Sequence, residues 1–209
     1  MKIEILTLFP EMFKGPFDES IIKRAQNKSL VEIKIHDLRE WGLTERRTVD
    51  DRPYGGGVGM VLRVDVVDAA LKDLRNKNSK VILLDATGET YTQEKAKKLA
   101  KIDHLILIAG HYEGVDHRVH EYLVDEVISI GDYVLTGGEI PIMVLVDSVV
   151  RLIPGAVGKE KSIDIESHST PGYLEYPQYT RPEEYKNWKV PDVLLSGDHK
   201  KIEIWRDKT

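Results

Sequence analysis

The sequence predicts an α/β protein with a mainly parallel sheet, on three observations. Short strand-like segments alternate with stretches of helical spacing through residue 153. Two of the segments, Lys80–Asp85 (KVILLD) and His104–Ala109 (HLILIA), are apolar runs without alternation, as strands covered on both faces are. Successive strands end in glycine, at Gly88, Gly110 and Gly131. Open α/β sheets bind ligands at the carboxyl ends of their strands, and glycine there lets a ligand approach the backbone N–H groups.

The elements follow in order. Lys2–Leu8 alternates as a strand, Glu19–Lys28 (ESIIKRAQNK) is a short amphipathic helix, and Val31–Leu38 alternates again. Residues 39–59 carry Arg39, Arg46, Arg47 and Arg52 beside DDRPYGGGVG, with too many glycines for either regular element. A functional loop or a disordered one is expected there. Val64–Leu74 has helical spacing, the strand at 80–85 stops at the ATG of 86–88, and Thr92 caps the helix TQEKAKKLAK. Glu94 sits in the first turn of that helix, where the dipole favours a carboxylate. After the strand 104–109, HYEGVDHRVHEYLV reads as loop then helix, and the strand Glu126–Ile130 follows.

The stretch Ser129–Pro141 (SIGDYVLTGGEIP) holds Gly131 and the Gly137–Gly138 pair between two apolar runs. Pro141 falls in the first turn of a helix at 139–153, where a missing N–H costs nothing. IPIMVLVDSVV is apolar on nearly every face, so the helix is expected to be covered in part by a second subunit. The remainder is proline-rich until Asp198, which caps a last helix, HKKIEIWRDK. No internal repeat or low-complexity tract is present.

The 209 residues suit one domain with a small extension. The absence of cysteine excludes a thiolate zinc site, a cysteine nucleophile and a disulfide scaffold, and fits a reducing, cytoplasmic home. The apolar run of MKIEILTLFP is too short and charged for a secretory signal, and no stretch approaches the ~18 apolar residues that span a bilayer. A soluble chain is expected. A net charge of −5 gives no sign of nucleic-acid binding, which would rest on local basic patches.

No G-x-G-x-x-G opens a helix after the first strand, and no G-x-x-x-x-G-K-[ST] occurs, so a Rossmann cofactor is not expected. Three loops on one sheet edge suit a bent adenosine ligand held through backbone groups. His111, Glu113, Asp116, His117 and His120 form the densest group of metal-ligand types, but no second motif supports it. A solvated helix face with capping is the preferred reading, and no metal site is expected. Arg151 ends the apolar helix, where it complements the dipole or serves as a guanidinium for charge developing on a substrate oxygen. Glu166 is a loop carboxylate, solvated unless recruited to chemistry. The arginines of 39–52 with Tyr54 are either a solvated surface or a stacking platform for RNA.

RPYGGGVGMV (52–61), AGHYEGVDHRV (109–119), SIGDYVLTGGEIP (129–141), DSVVRLIPGAVG (147–158), YPQYTRP (176–182) and VPDVLLSGDHKKIEIWR (190–206) closely resemble the bacterial tRNA (guanine-N1)-methyltransferase family, in family order and over nearly the whole chain. The resemblance implies a trefoil-knotted, mainly parallel α/β fold of the SPOUT class flanked by helices, with a small C-terminal helical extension. It implies S-adenosylmethionine as methyl donor, the guanosine 3′ of the tRNA anticodon as substrate, magnesium as a companion of activity, and a homodimer with active sites shared between subunits. The implied donor residues are Leu84, Asp85 and Gly88, then Gly110, Tyr112 and Glu113, then Ile130, Gly131, Tyr133, Leu135, Gly137 and Gly138. The implied catalytic groups are Arg151, Glu113 and a linker carboxylate. Glu166 stands where the family carries that aspartate, with Asp164 as the fallback base, and Val58 replaces an expected proline. The RNA-binding set is Arg46, Arg47, Arg52, Tyr54 and Gly55 with Lys200 and Lys201.

The expected organisation is a knotted donor-binding domain at 1–160, a linker with the catalytic carboxylate at 161–180 and a short, truncated helical tRNA-binding part at 181–209. Guanine N1 carries a proton, so Glu166 would accept it while Arg151 holds the charge moving onto O6. A catalytically silent knotted RNA-binding domain is the alternative, against which the intact donor glycines and Arg151 stand.

Overall fold

In chain order, Met1–Gly158 runs β1 (Lys2–Thr7), α1 (Ser20–Asn27), β2 (Glu32–Asp37), β3 (Asp50–Asp51), β4 (Val61–Leu62), α2 (Val64–Leu74), β5 (Ser79–Thr90), α3 (Gln93–Leu99), β6 (His104–Ala109), α4 (His117–Tyr122), β7 (Glu126–Ser129) and α5 (Glu139–Val150). These bounds come from a computed structural model that describes residues 1–158 and 165–207. Five strands form one sheet in the order β2-β1-β6-β5-β7, and every neighbouring pair is parallel. Parallel neighbours require crossovers, which accounts for the helices on both faces.

Alternate strand residues feed two cores. Ile3, Ile5, Ile82, Leu84, Leu105 and Leu107 pack with α1, α3 and α5, through Ala25, Leu99, Ile142 and Val149. Leu6, Val81, Leu83, Ile106 and Ile108 pack with α2 and α4, through Val66, Val67, Ala70 and Val119. All of β6 is buried, as its unbroken apolar run requires. Two caps follow the local chemistry: Thr92 Oγ1 accepts from the Lys95 N–H at 3.3 Å, and Asp116 Oδ1 accepts from the Arg118 N–H at 3.0 Å.

Two features depart from expectation. The 39–59 segment contains a short helical turn at Leu38–Trp41 and the two-residue strand β3, paired antiparallel with β4. β5 does not stop at 86–88: it resumes, and Glu89 and Thr90 pair with Ile128 and Ser129 of β7. α5 is covered only in part by its own unit, for Ile140 and Val144 are exposed at 47% and 44%, with Asp147 exposed one turn on.

Lys159–Thr209 forms a second unit. Its hairpin, β8 (Glu184–Tyr185) and β9 (Trp188–Lys189), turns through Lys186 and Asn187 at φ 50° and 67°. The helices α6 (Asp192–Leu195) and α7 (His199–Asp207) follow, and Asp198 Oδ1 accepts from the Lys201 N–H at 3.2 Å, the expected cap. The Trp205 ring of α7 lies 6.4 Å from those of both Tyr176 and Tyr179, and Arg206 sits 4.6 Å over Tyr176. Among the described residues no helix is long and apolar enough to cross a membrane.

One polar network interrupts the apolar sheet. Glu4, 1% exposed, takes an ion pair from Lys2 and meets His36 Nε2 at 2.5 Å, with His104 Nε2 at 3.9 Å. Burial pushes the Glu4 carboxyl up, but hydrogen bonds from Lys2 and His36 outweigh it and hold it below its ordinary value. Burial, helped by Lys2, holds His104 below its ordinary value too. Both shifts act in one direction. The folded state resists protonating either group, so stability is present above their unfolded values and is lost as pH falls, first through His104 and then through Glu4. Glu4→Gln is expected to cost about 1–3 kcal/mol at neutral pH and to flatten the acid limb below pH ~4.5, read by chemical denaturation across pH. An acid limb as steep as the parent's would remove Glu4 from this role.

Candidate functional site

The sheet order places the carboxyl ends of β6, β5 and β7 side by side, and each sends out one loop. The first is Asp85–Gly88, an excursion within β5: Leu84 and Glu89 both pair with Ile128, so the residues between them leave the sheet. Asp85 closes the excursion by accepting from Thr87 N–H at 2.9 Å and Thr87 Oγ1 at 2.8 Å. Burial raises the Asp85 carboxyl, but those bonds and the charge of His120, whose Nε2 is 3.5 Å away, outweigh it and hold Asp85 below its ordinary value.

The second loop, Gly110–Gly114, is hemmed to the glycine-rich 52–62 segment by backbone. Glu113 N–H donates to Met60 O at 3.0 Å, Leu62 N–H to Gly114 O at 3.0 Å, and Asp116 N–H to Leu62 O at 2.9 Å. Tyr112 sits at φ 61°, and burial pushes its phenol up. The third loop, 130–138, returns to the second: Gly138 N–H donates to Gly110 O at 2.8 Å.

The three loops enclose a cavity of about 290 Å³. Leu84, Asp85, Gly110, Tyr112, Glu113, Ile130, Gly131, Tyr133, Leu135, Gly137 and Gly138 all line it. Gly88 does not. A Cβ there would lie 2.6 Å from the backbone of Val127 and Ile128, so this glycine admits β7 rather than a ligand. Gly138 also meets the protein's own chain, since a Cβ would come within 2.7 Å of Ala109 Cα and Gly110 N.

Arg151 caps the C-terminus of α5 and lies outside the cavity lining. Glu166 is half-buried in the second unit, and Asp164 lies outside the described residues. Arg46, Arg47, Arg52, Tyr54 and Gly55 are exposed in the first unit, Tyr54 completely. Arg52 and Tyr54 flank a second hollow of about 920 Å³, with Arg63 held by Asp51 and Asp65 and Arg118 held by Asp116. Lys200 and Lys201 are exposed on α7. No group of three metal-ligating side chains converges among the described residues. The solvated-face reading of the histidine cluster fits His117 but not His120, which turns inward to Asp85. Glu139, buried at the start of α5 beside the cavity, is a residue the sequence pattern did not single out.

An all-parallel α/β sheet with one cavity walled by three carboxyl-edge loops defines a small-ligand-binding α/β protein. The chain matches the family model "tRNA (Guanine-1)-methyltransferase TrmD" over residues 1–209. It is 55% identical over 208 residues to a tRNA (guanine-N(1)-)-methyltransferase of Dictyoglomus turgidum, spanning 100% of this chain and 84% of that protein. Proteins of the same name from Bacillus pumilus and Bacillus subtilis are 57% and 54% identical, each over 100% of this chain and 86% of their own. The chain belongs to the tRNA (guanine-1)-methyltransferase TrmD family.

A methyltransferase family implies S-adenosylmethionine, and the two kinds of cavity residue respond differently to substitution. Leu135→Glu, at a loop position that lines the cavity, is expected to abolish binding of this donor by calorimetry with the unfolding temperature unchanged. Gly138→Ala is expected to lower the unfolding temperature by roughly 4 °C or more, because backbone must move. A Gly138→Ala protein of parental stability that no longer binds donor would place that Cβ against the ligand instead.

Proposed function

We propose that this chain transfers the methyl group of S-adenosylmethionine to N1 of the guanosine immediately 3′ of the anticodon in tRNA. The observation that carries the reading is the cavity closed by loops from three adjacent strand ends, in a chain that matches the family from end to end. The residues present fit such a donor. Gly110 and Gly131 expose backbone to it, Leu84, Ile130 and Leu135 offer apolar walls for a base, and Asp85, held ionised, is an acceptor for hydroxyls. When bound, S-adenosylmethionine supplies an electrophilic methyl on its sulfonium.

The protein's own part is proton and charge handling. Glu166 accepts the N1 proton, with Asp164 as the alternative base, and the Arg151 guanidinium holds negative charge that builds on O6. Glu113, whose N–H pairs with Met60 O in the glycine-rich segment, is assigned to the place where donor and target base would meet. The exposed Arg46, Arg47, Arg52, Tyr54 and Gly55, with Lys200 and Lys201, engage tRNA phosphates and unstacked bases. Magnesium is a companion of activity in this reading, with Glu113 able to help hold it, and no cluster of three or more His, Asp or Glu side chains that could hold a metal ion forms among the described residues. A catalytically silent domain would have no use for a formed donor cavity.

The site is shared in a homodimer with the knotted topology of the family, acting in the cytoplasm. Along α5, Gly138 and Arg151 stand about 20 Å apart at 1.5 Å per residue, too far for one chain's Arg151 to reach its own donor. The exposed Ile140 and Val144 stripe supports an isologous contact between α5 helices, which brings Arg151 of one subunit to the donor loops of the other.

Glu166→Gln is expected to keep donor and tRNA binding while slowing methyl transfer by ~10²-fold or more, in single-turnover assays. Greater damage from Asp164→Asn would move the base to that residue. Inactive Arg151→Ala and Leu135→Glu chains, mixed, should regain activity in heterodimers that carry one intact site. Purified heterodimers as inactive as both parents would end the shared-site reading.

A further inference from the structure

The chemistry above leaves one buried carboxylate unused. Glu139 opens α5 with 1% of its surface exposed, in a first turn whose N-cap, Gly138, offers no side chain. Its Oε1 accepts from Thr7 Oγ1 at 2.8 Å, and Thr7 Oγ1 in turn accepts from Phe9 N–H at 2.9 Å. Its Oε2 lies 3.9 Å from His111 Nδ1, a buried nitrogen with no hydrogen-bond partner among the described residues. A buried carboxylate is costly unless charge and hydrogen bonds compensate it, and a single hydroxyl does so poorly.

The location gives the pair its meaning. His111 lines the cavity from the second loop and Gly137 from the third. The Gly137 backbone rests directly on the pair, for a Cβ there would come within 2.6 Å of His111 Nδ1 and overlap Glu139 Oε2. The imidazole has aromatic neighbours on other sides, with Phe9 at 4.8 Å and Tyr112 at 5.2 Å between ring centroids. The nearby cation Arg39 is turned to Phe9, 5.8 Å from its ring, and to Leu8 O. Glu139 therefore provides the carboxylate next to His111, and a shift of about 1 Å would bring the two into hydrogen-bond range.

We propose that Glu139 is a positioning residue for the methyl donor: it accepts a hydrogen bond from His111 Nδ1–H when the cavity is filled, and so locks the second and third loops against each other. The inference rests on the donor-site reading above. Glu139 touches neither donor nor guanine. Its effect belongs to donor affinity, because active-site hydrogen bonds that are long in the empty protein tighten around a bound ligand. Closing this one joins two loops otherwise tied by the Gly138 N–H to Gly110 O bond.

The test uses the full chain with S-adenosylmethionine. Calorimetry on the parent, Glu139→Gln, His111→Phe and the double variant is expected to show about tenfold weaker donor binding in each single variant, the scale of one charge-assisted contact. The double variant should be no weaker than either, with tRNA affinity unchanged throughout. Nitrogen-15 histidine NMR on the parent supplies a second measure that needs no variant. Donor addition should bring up a slowly exchanging Nδ1–H proton on His111, which Glu139→Gln should lack. Additive losses, or a donor-saturated parent whose His111 Nδ1 carries no such proton, would overturn the proposal while leaving the donor site in place. Failure of the parent to bind S-adenosylmethionine at all would overturn both.

Discussion

The first unit depends on one close approach, that of Gly138 to the end of β6. Main chain meets main chain there, with the Gly138 N–H on Gly110 O at 2.8 Å and no space for a Cβ against Ala109. That contact fixes where α5 begins, and α5 then fills one face of the sheet through Ile142, Leu145, Val146 and Val149. It also sets the third loop over the second, so the same glycine that seats a core helix closes the cavity. Folding energy and ligand geometry are coupled at this point, because a helix displaced along its axis would open the site.

Two buried clusters set a carboxylate beside histidine. Glu4 of β1, His36 of β2 and His104 of β6 form one, in which His36 Nε2 meets Glu4 at 2.5 Å while His104 Nε2 stays 3.9 Å away with no hydrogen-bond partner among the described residues. At the carboxyl edge, Glu139 and His111 stay short of contact. A made hydrogen bond such as that of His36 with Glu4 rigidifies, whereas an open pair leaves free energy to be gained later.

Much of this was legible in the residues. The run HLILIA gave β6 to the residue, since a strand buried on both faces has no other pattern, and VDVVDAALKDL gave α2. The glycine-ended strands pointed to the sheet edge where the cavity lies, although Gly88 admits β7 and is not part of the cavity lining. What was hidden depends on contacts distant in sequence. ATG at 86–88 reads as a stop, and only pairing with β7 shows that β5 goes on. Two-residue strands such as β3 and β4 have no period to detect. Glu139 drew no reading from the sequence pattern, because its burial under Thr7 and His111 belongs to tertiary structure. His120 looked solvated until the Asp85 excursion came over it.

The seam between the 52–62 segment and the second loop is hydrogen-bonded through main chain, by the N–H groups of Glu113, Leu62 and Asp116. Backbone pairing is indifferent to sequence. Arg52, Tyr54 and their neighbours can therefore be exchanged over evolutionary time without moving the cavity beside them. Such an arrangement leaves the exposed rim open to change while the geometry of the cavity is inherited intact.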